Sequence, residues 1–238
     1  MCYMFVKRHD QELSTDLVIA MRDLHNKDGA GVMYAEDGRV VIEKIEGKTD
    51  ASVRELYEKH KDRDIAFHLR NQSMGSVNLE NAHPYWVTNK DLGHPRDVGM
   101  MHNGTIREIQ VVSTWSDSRN LAEHGLRDYL AKRPAAYTDP EFWQFVSLLI
   151  GKSKLIFLRD DGKFVVVNAG EGKYLLDGNL TDDERGIWVS NPYARLTPAR
   201  NTVVIAKPAK EVTEPKDYWW AVEADGNRHY RTAVGGVA

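Results

Sequence analysis

A chain of 238 residues suffices for one large domain or two small ones, and 42% hydrophobic against 28% charged residues is an ordinary globular balance. A net charge of −3 sets up no general basic field, which argues against nucleic acid or anionic lipid as a partner, and no apolar run approaches a bilayer span. The single cysteine, Cys2, excludes an internal disulfide and a cysteine-based zinc cluster, and suits a reducing compartment.

The chain opens with an apolar stretch, residues 1–6, cut short by Lys7, Arg8, His9 and Asp10, so it lacks the h-region of a secretory signal and a cytoplasmic location is expected. Residues 3–7, 31–34 and 39–45 read as strands, the last two joined by a tight Asp37-Gly38 turn. Residues 14–25 read as a helix capped at Ser14 or Thr15, with Leu17, Met21 and Leu24 on one face. A second helix is expected over 50–60, with Val53, Leu56 and Tyr57 inward. Buried strands follow at 64–69 and 98–102. The longest helical pattern covers 116–132 and carries Leu121, Leu126, Tyr129 and Leu130, and another covers 139–150, capped at Asp139 and closed near Gly151. Residues 154–159 and 163–168 form a hairpin through Asp160-Asp161-Gly162, and further strands fit 173–176, 186–190 and 202–206. The last stretch reads as an aromatic hairpin: 218–223, an Asp225-Gly226 turn and 229–232. Trp219 and Trp220 would face opposite ways, either packed on the protein's own sheet or offered to a partner. Strands flanked by helices imply an α+β protein whose sheets are covered on both sides. The expected organisation is one domain over 1–206 with an extension, 207–238, packed on it.

Four short segments carry chemistry. Removal of Met1 would leave Cys2 with both a thiol and an α-amine of pKa about 7.7–8.0, a nucleophile and its own base on one residue. The competing reading of Cys2 is a small hydrophobe at the start of an edge strand. Arg70, in Phe67-His68-Leu69-Arg70-Asn71-Gln72-Ser73-Met74-Gly75, follows a buried strand and can clamp a carboxylate or make a structural salt bridge. Asn103 and Gly104, in Met101-His102-Asn103-Gly104, supply two N–H donors for an oxyanion hole, or else form an Asn-Gly turn. Asp117, in Ser116-Asp117-Ser118, can neutralise an ammonium, cap a helix, or do both. Together the functional readings suit a free α-amino acid bearing a side-chain amide, with L-glutamine the obvious substrate. His68, His83 and His102 follow no zinc-ligand spacing, so they read as structural and no metal or cofactor is expected.

In this order the motifs resemble the class II glutamine amidotransferases of the N-terminal-nucleophile hydrolase superfamily. The resemblance runs through Cys2, Asp28-Gly29-Ala30-Gly31, His68 to Gly75, Asn81-Ala82-His83-Pro84, His102-Asn103-Gly104 and Ser116-Asp117-Ser118. It is close over roughly the first 130 residues and loose to about 206. It implies a four-layer αββα sandwich of two mainly antiparallel sheets, with Cys2 on a sheet edge between them. It also implies that Cys2 forms a γ-glutamyl thioester, Asn103 and Gly104 stabilise the oxyanion, Arg70 binds the substrate carboxylate and Asp117 its ammonium. Ser73 stands where the amino-sugar-forming members have Thr and keeps the hydroxyl for substrate binding. Asn71 replaces their Trp, Met74 their His, and Arg119 an acidic residue, departures that bear on the substrate more than on the mechanism.

No large synthase domain is expected in the stretch after residue 206, so the chain is expected to act with a separately encoded synthase that receives the ammonia, or else as a free-standing glutaminase. Two other readings remain at this level: an amidohydrolase acting on a γ-glutamyl or other N-acyl amide, and a non-catalytic binding module. The oligomeric state stays open, a homo-oligomer included.

Overall fold

The computed structural model describes residues 2–23, 26–73, 75–106, 109, 111–177 and 179–191, and the backbone of two further strands, Trp219–Val222 and Arg228–Arg231. In chain order the strands are β1 Tyr3–Lys7, β2 Ala30–Glu36, β3 Arg39–Ile45, β4 Ile65–Leu69, β5 Tyr85–Thr88, β6 Val98–Asn103 and β7 Lys154–Arg159. They continue as β8 Phe164–Val167, β9 Lys173–Leu176, β10 Asn179–Thr181, β11 Ile187–Val189, β12 Trp219–Val222 and β13 Arg228–Arg231. The helices are α1 Thr15–Asp23, α2 Asp50–His60, α3 Asp117–Asn120, α4 Arg127–Lys132 and α5 Pro140–Ile150.

One sheet has the order β10-β9-β11-β1-β4-β2-β3 and the other β13-β12-β8-β7-β6-β5. All neighbours are antiparallel except β12, which lies parallel to β8. Strand alternation builds the layers, because successive side chains leave opposite faces. In β1, Tyr3 and Phe5 pack with Val18, Met21, Leu56 and Tyr57 of α1 and α2, while Met4 and Val6 turn to the other sheet. In β7, Ile156 and Leu158 meet Met4 and Trp188, while Leu155 and Phe157 pack with Leu130, Trp143 and Val146 of α4 and α5. Three buried clusters therefore fill three interfaces, helix–sheet, sheet–sheet and sheet–helix. This is a four-layer αββα sandwich, as expected.

Three details depart from the sequence reading. β1 lies in the middle of its sheet between β11 and β4, so Cys2 stands at the end of a central strand and not on an edge. The helix expected over 116–132 is interrupted by a π-helical stretch, Leu121–Leu126, between α3 and α4, and of its apolar residues Tyr129 is exposed while Leu121, Leu126 and Leu130 are buried. β5 and β10 are additional strands: one is four residues long after Pro84, the other three largely exposed residues, and neither carries a clear period-two signal. Leu24, Met74, the strand expected at 202–206, the Asp225-Gly226 turn and the side chains of Trp219 and Trp220 lie outside the described residues. Among the described residues no helix is long and apolar enough to cross a membrane.

Candidate active site

The β1–β4 register sets Tyr3 opposite Leu69, which brings Cys2 to the Arg70-Asn71 segment. Cys2 Sγ donates to Asn71 O at 3.3 Å and receives the Asn71 N–H at 3.4 Å. From the opposite sheet, β6 delivers Gly104 just past its end, and α3 contributes Asp117 in its first turn. Cys2, Arg70, Ser73, Gly104 and Asp117 line one cleft of about 250 Å³, partly open to solvent, with His83 and His102 in its wall.

Asn103 is the exception among the expected site residues. It is buried, but its carboxamide Nδ2 donates to Ser190 Oγ at 2.7 Å, and the side chain is not among the cleft residues. Ser190 in turn accepts the Met4 N–H at 3.0 Å, so Asn103 is tied to the strand that bears Cys2. One amide N–H remains for another acceptor. Ser190 carries no sequence signal, because only the fold brings it to Asn103.

The glycine motifs act as spacers around this cleft. A Cβ at Gly31 would lie 2.1 Å from His83 O, so only glycine lets the His83-Pro84 segment close on β2. Gly104 has φ 150°, and a Cβ there would meet Ser153 Oγ at 2.0 Å. Arg70 N donates to Gly29 O at 2.8 Å, while Asp28 Oδ2 receives the Gln72 N–H at 2.8 Å, which fixes the loop after β4. The guanidinium of Arg70 donates from Nη2 to Ser76 O at 3.1 Å. Asn81 joins the remaining pieces, accepting from Ser116 N at 3.0 Å and donating to Ser76 O and Thr114 O at 3.2 and 3.1 Å.

Asp117 is buried and held at both oxygens. Oδ2 accepts from Ile106 N at 2.7 Å, and Oδ1 from Ser118 N at 2.8 Å and from the Ser118 hydroxyl at 3.2 Å. With that proton committed, Ser118 Oγ accepts from His102 Nδ1 at 2.8 Å, which assigns the proton of His102 to Nδ1. The helix cap itself is Ser116, whose Oγ receives the Arg119 N–H at 3.1 Å. The carboxylate is therefore organised by the fold, among the described residues without a neutralising side chain in hydrogen-bond reach, and remains able to meet a cation in the cleft.

Burial pushes the Cys2 thiol up, while the Asn71 backbone hydrogen bond and the charge of Arg70 pull it the other way. Burial drives His68 down to about 3 and His83 well below its usual range. His102 is also lowered by burial, with Asp117 opposing. These three rings are thus neutral at physiological pH. His68 and His83 stack with centroids 4.0 Å apart, and His68 Nε2 lies 3.1 Å from His102 O. Among the described residues no group of three or more potential ligands is arranged to hold a metal ion.

A glutamine phosphoribosylpyrophosphate amidotransferase from B. subtilis, solved with ADP and GMP, matches at 15% identity and TM-score 0.48, over 82% of this chain and 42% of that one. A structure described as the allosteric regulatory enzyme of purine biosynthesis matches at 15% identity and TM-score 0.48, over 79% and 41%. The chain thus spans well under half the length of either. No family model and no curated relative matches the sequence.

Proposed function

We propose that this chain hydrolyses the side-chain amide of L-glutamine with Cys2 as nucleophile. The observation that carries the reading is the convergence of Cys2, Arg70, Gly104 and Asp117 on one cleft from separate elements. With Met1 removed, the freed α-amine takes the thiol proton and Sγ attacks the amide carbon. The Gly104 N–H bears the charge on the tetrahedral oxygen, and Asn103 joins it once the Nδ2–H not given to Ser190 turns to the cleft. The α-ammonium then protonates the departing nitrogen, ammonia leaves, and a γ-glutamyl thioester remains. Water, deprotonated by the same amine, cleaves the thioester to glutamate and restores the thiol. Arg70 binds the substrate carboxylate, Asp117 its ammonium, and Ser73 donates or accepts through its hydroxyl at the cleft mouth. Ammonia passes to a separate synthase in this reading, which affinity capture from the native host tests.

Intact-mass measurement before and after a glutamine-mimicking diazo-ketone tests the chemistry. Loss of Met1 followed by one adduct, absent in Cys2→Ala, is the expected result. A retained Met1, or an adduct that survives Cys2→Ala, would overturn the Cys2 assignment. Hydrolysis of γ-glutamyl or N-acyl amides to the free acid and the amine, without release of ammonia from glutamine, would move the same chemistry to another substrate.

A further inference from the structure

Helix α5 has two apolar faces, and among the described residues only one is covered. Phe142, Trp143, Val146 and Ile150 are buried against the second sheet, whereas Phe145, Leu148 and Leu149 are 64%, 67% and 41% exposed. Their i, i+3, i+4 spacing puts them side by side on the outer surface, where a layer helix normally carries polar residues. Tyr129 of α4, 39% exposed and stacked on Phe142 with centroids 4.9 Å apart, borders the helix. A cluster of large apolar side chains on one outer face marks an interaction surface.

The charges at the ends of α5 say what covers it. Glu141 lies in the first turn and Lys152 just beyond Gly151; both are exposed, and neither has an ion-pair partner among the described residues. On the neighbouring α3–α4 segment, by contrast, Arg119 and Arg127 pair with Glu123, and Lys132 with Asp128. In chain order α5 and the turn that closes it therefore carry acid, apolar cluster, base, with the apolar residues straddling the midpoint between the two charges. A twofold axis through that midpoint runs a second α5 antiparallel to the first. It sets Glu141 of each copy against Lys152 of the other, and the apolar clusters against each other. Isologous contacts demand this self-complementarity, and opposed helix dipoles add to it.

We propose that the outer face of α5 is the contact through which two copies of this chain form a twofold dimer. One short helix pair buries less than the roughly 1,200 Å² of a standard interface, so the dimer is expected to depend on concentration. The proposal is independent of the glutaminase reading.

Analytical ultracentrifugation of the full chain, from the low micromolar to the submillimolar range, tests it. Wild type should shift from monomer to dimer, and Phe145→Ser with Leu148→Ser should stay monomeric while keeping the wild-type circular dichroism. Glu141→Lys alone and Lys152→Glu alone should each weaken association roughly fivefold or more, and an equimolar mixture of the two should associate again. A wild type that stays monomeric throughout would overturn the proposal, as would a dimer indifferent to the Phe145/Leu148 variant. Single charge variants that fail to associate when mixed would overturn the antiparallel pairing. Engagement of α5 only in the presence of a different chain assigns the face to that chain and equally overturns it.

Discussion

Asp117 joins structure and proposed chemistry in one side chain. Its oxygens receive the Ile106 and Ser118 N–H groups inside the protein, yet it also lines the cleft. Asp117→Asn keeps the shape but turns an N–H toward one of those donors and removes the charge. The KM for glutamine is expected to rise at least about tenfold, more than kcat falls, with a stability loss of about 1–3 kcal/mol. Steady-state kinetics beside chemical denaturation checks both. The buried histidines give a second residue-scale expectation. His68, at about 3 in the folded state, His83 and His102 are all lowered, so the unfolded chain binds more protons than the native one below its own value of about 6.5. Their contribution to stability is complete above that value and declines as pH falls through it. Between about pH 7 and 5.5, where most carboxylates remain ionised, Tm should drop, and the drop should be smaller in His68→Gln. A Tm flat across this range would contradict the buried neutral rings. Cys2, Arg70 and Asp117 stand out in the sequence by residue type and short spacing, and the fold brings all three to one cleft. The tie from Asn103 to Ser190 was not, since no local pattern links residues on strands of opposite sheets.

Among the elements, those with strong period and clear caps were read closely. For α2 the sequence bounds match the structure, with Val53, Leu56 and Tyr57 buried and Thr49 Oγ1 accepting the Ser52 N–H at 3.2 Å. Thr49→Ala should cost about 1 kcal/mol, read as a lowered midpoint with unchanged slope in urea unfolding. The Asp37-Gly38 turn also follows from local chemistry, with φ 50° and 70° at the two residues. The helix over 116–132 was harder. Its apolar spacing reads as continuous, but the π-helical stretch changes the phase after Leu126, turning Tyr129 outward. Alternation could not reveal β5 and β10, whose pairing with β6 and β9 holds them extended.

At the scale of the whole molecule, stability rests on the apolar contact between the sheets. Ile156 is fully buried there among Met4, Met101, Leu158 and Trp188. Ile156→Ala is expected to cost about 2–5 kcal/mol, because the facing sheets limit collapse into the space left behind. Guanidinium unfolding measures it, and a loss below about 1 kcal/mol would contradict a packed sheet–sheet core. The same two-sided burial explains why β1, β4, β6 and β7 read in the sequence as continuous apolar runs: each strand has a helix layer on one face and a sheet on the other.

The sequence by itself determined the element types, the α+β class and the residue chemistry available at the site, because periodicity, caps and side-chain functional groups are local properties. Only the tertiary structure decided that β1 is central, that Asn103 turns to Ser190 and that Phe145, Leu148 and Leu149 of α5 are exposed. Those depend on strand order, register and layer packing between residues far apart in the chain, and many sequence-local patterns are compatible with more than one such arrangement.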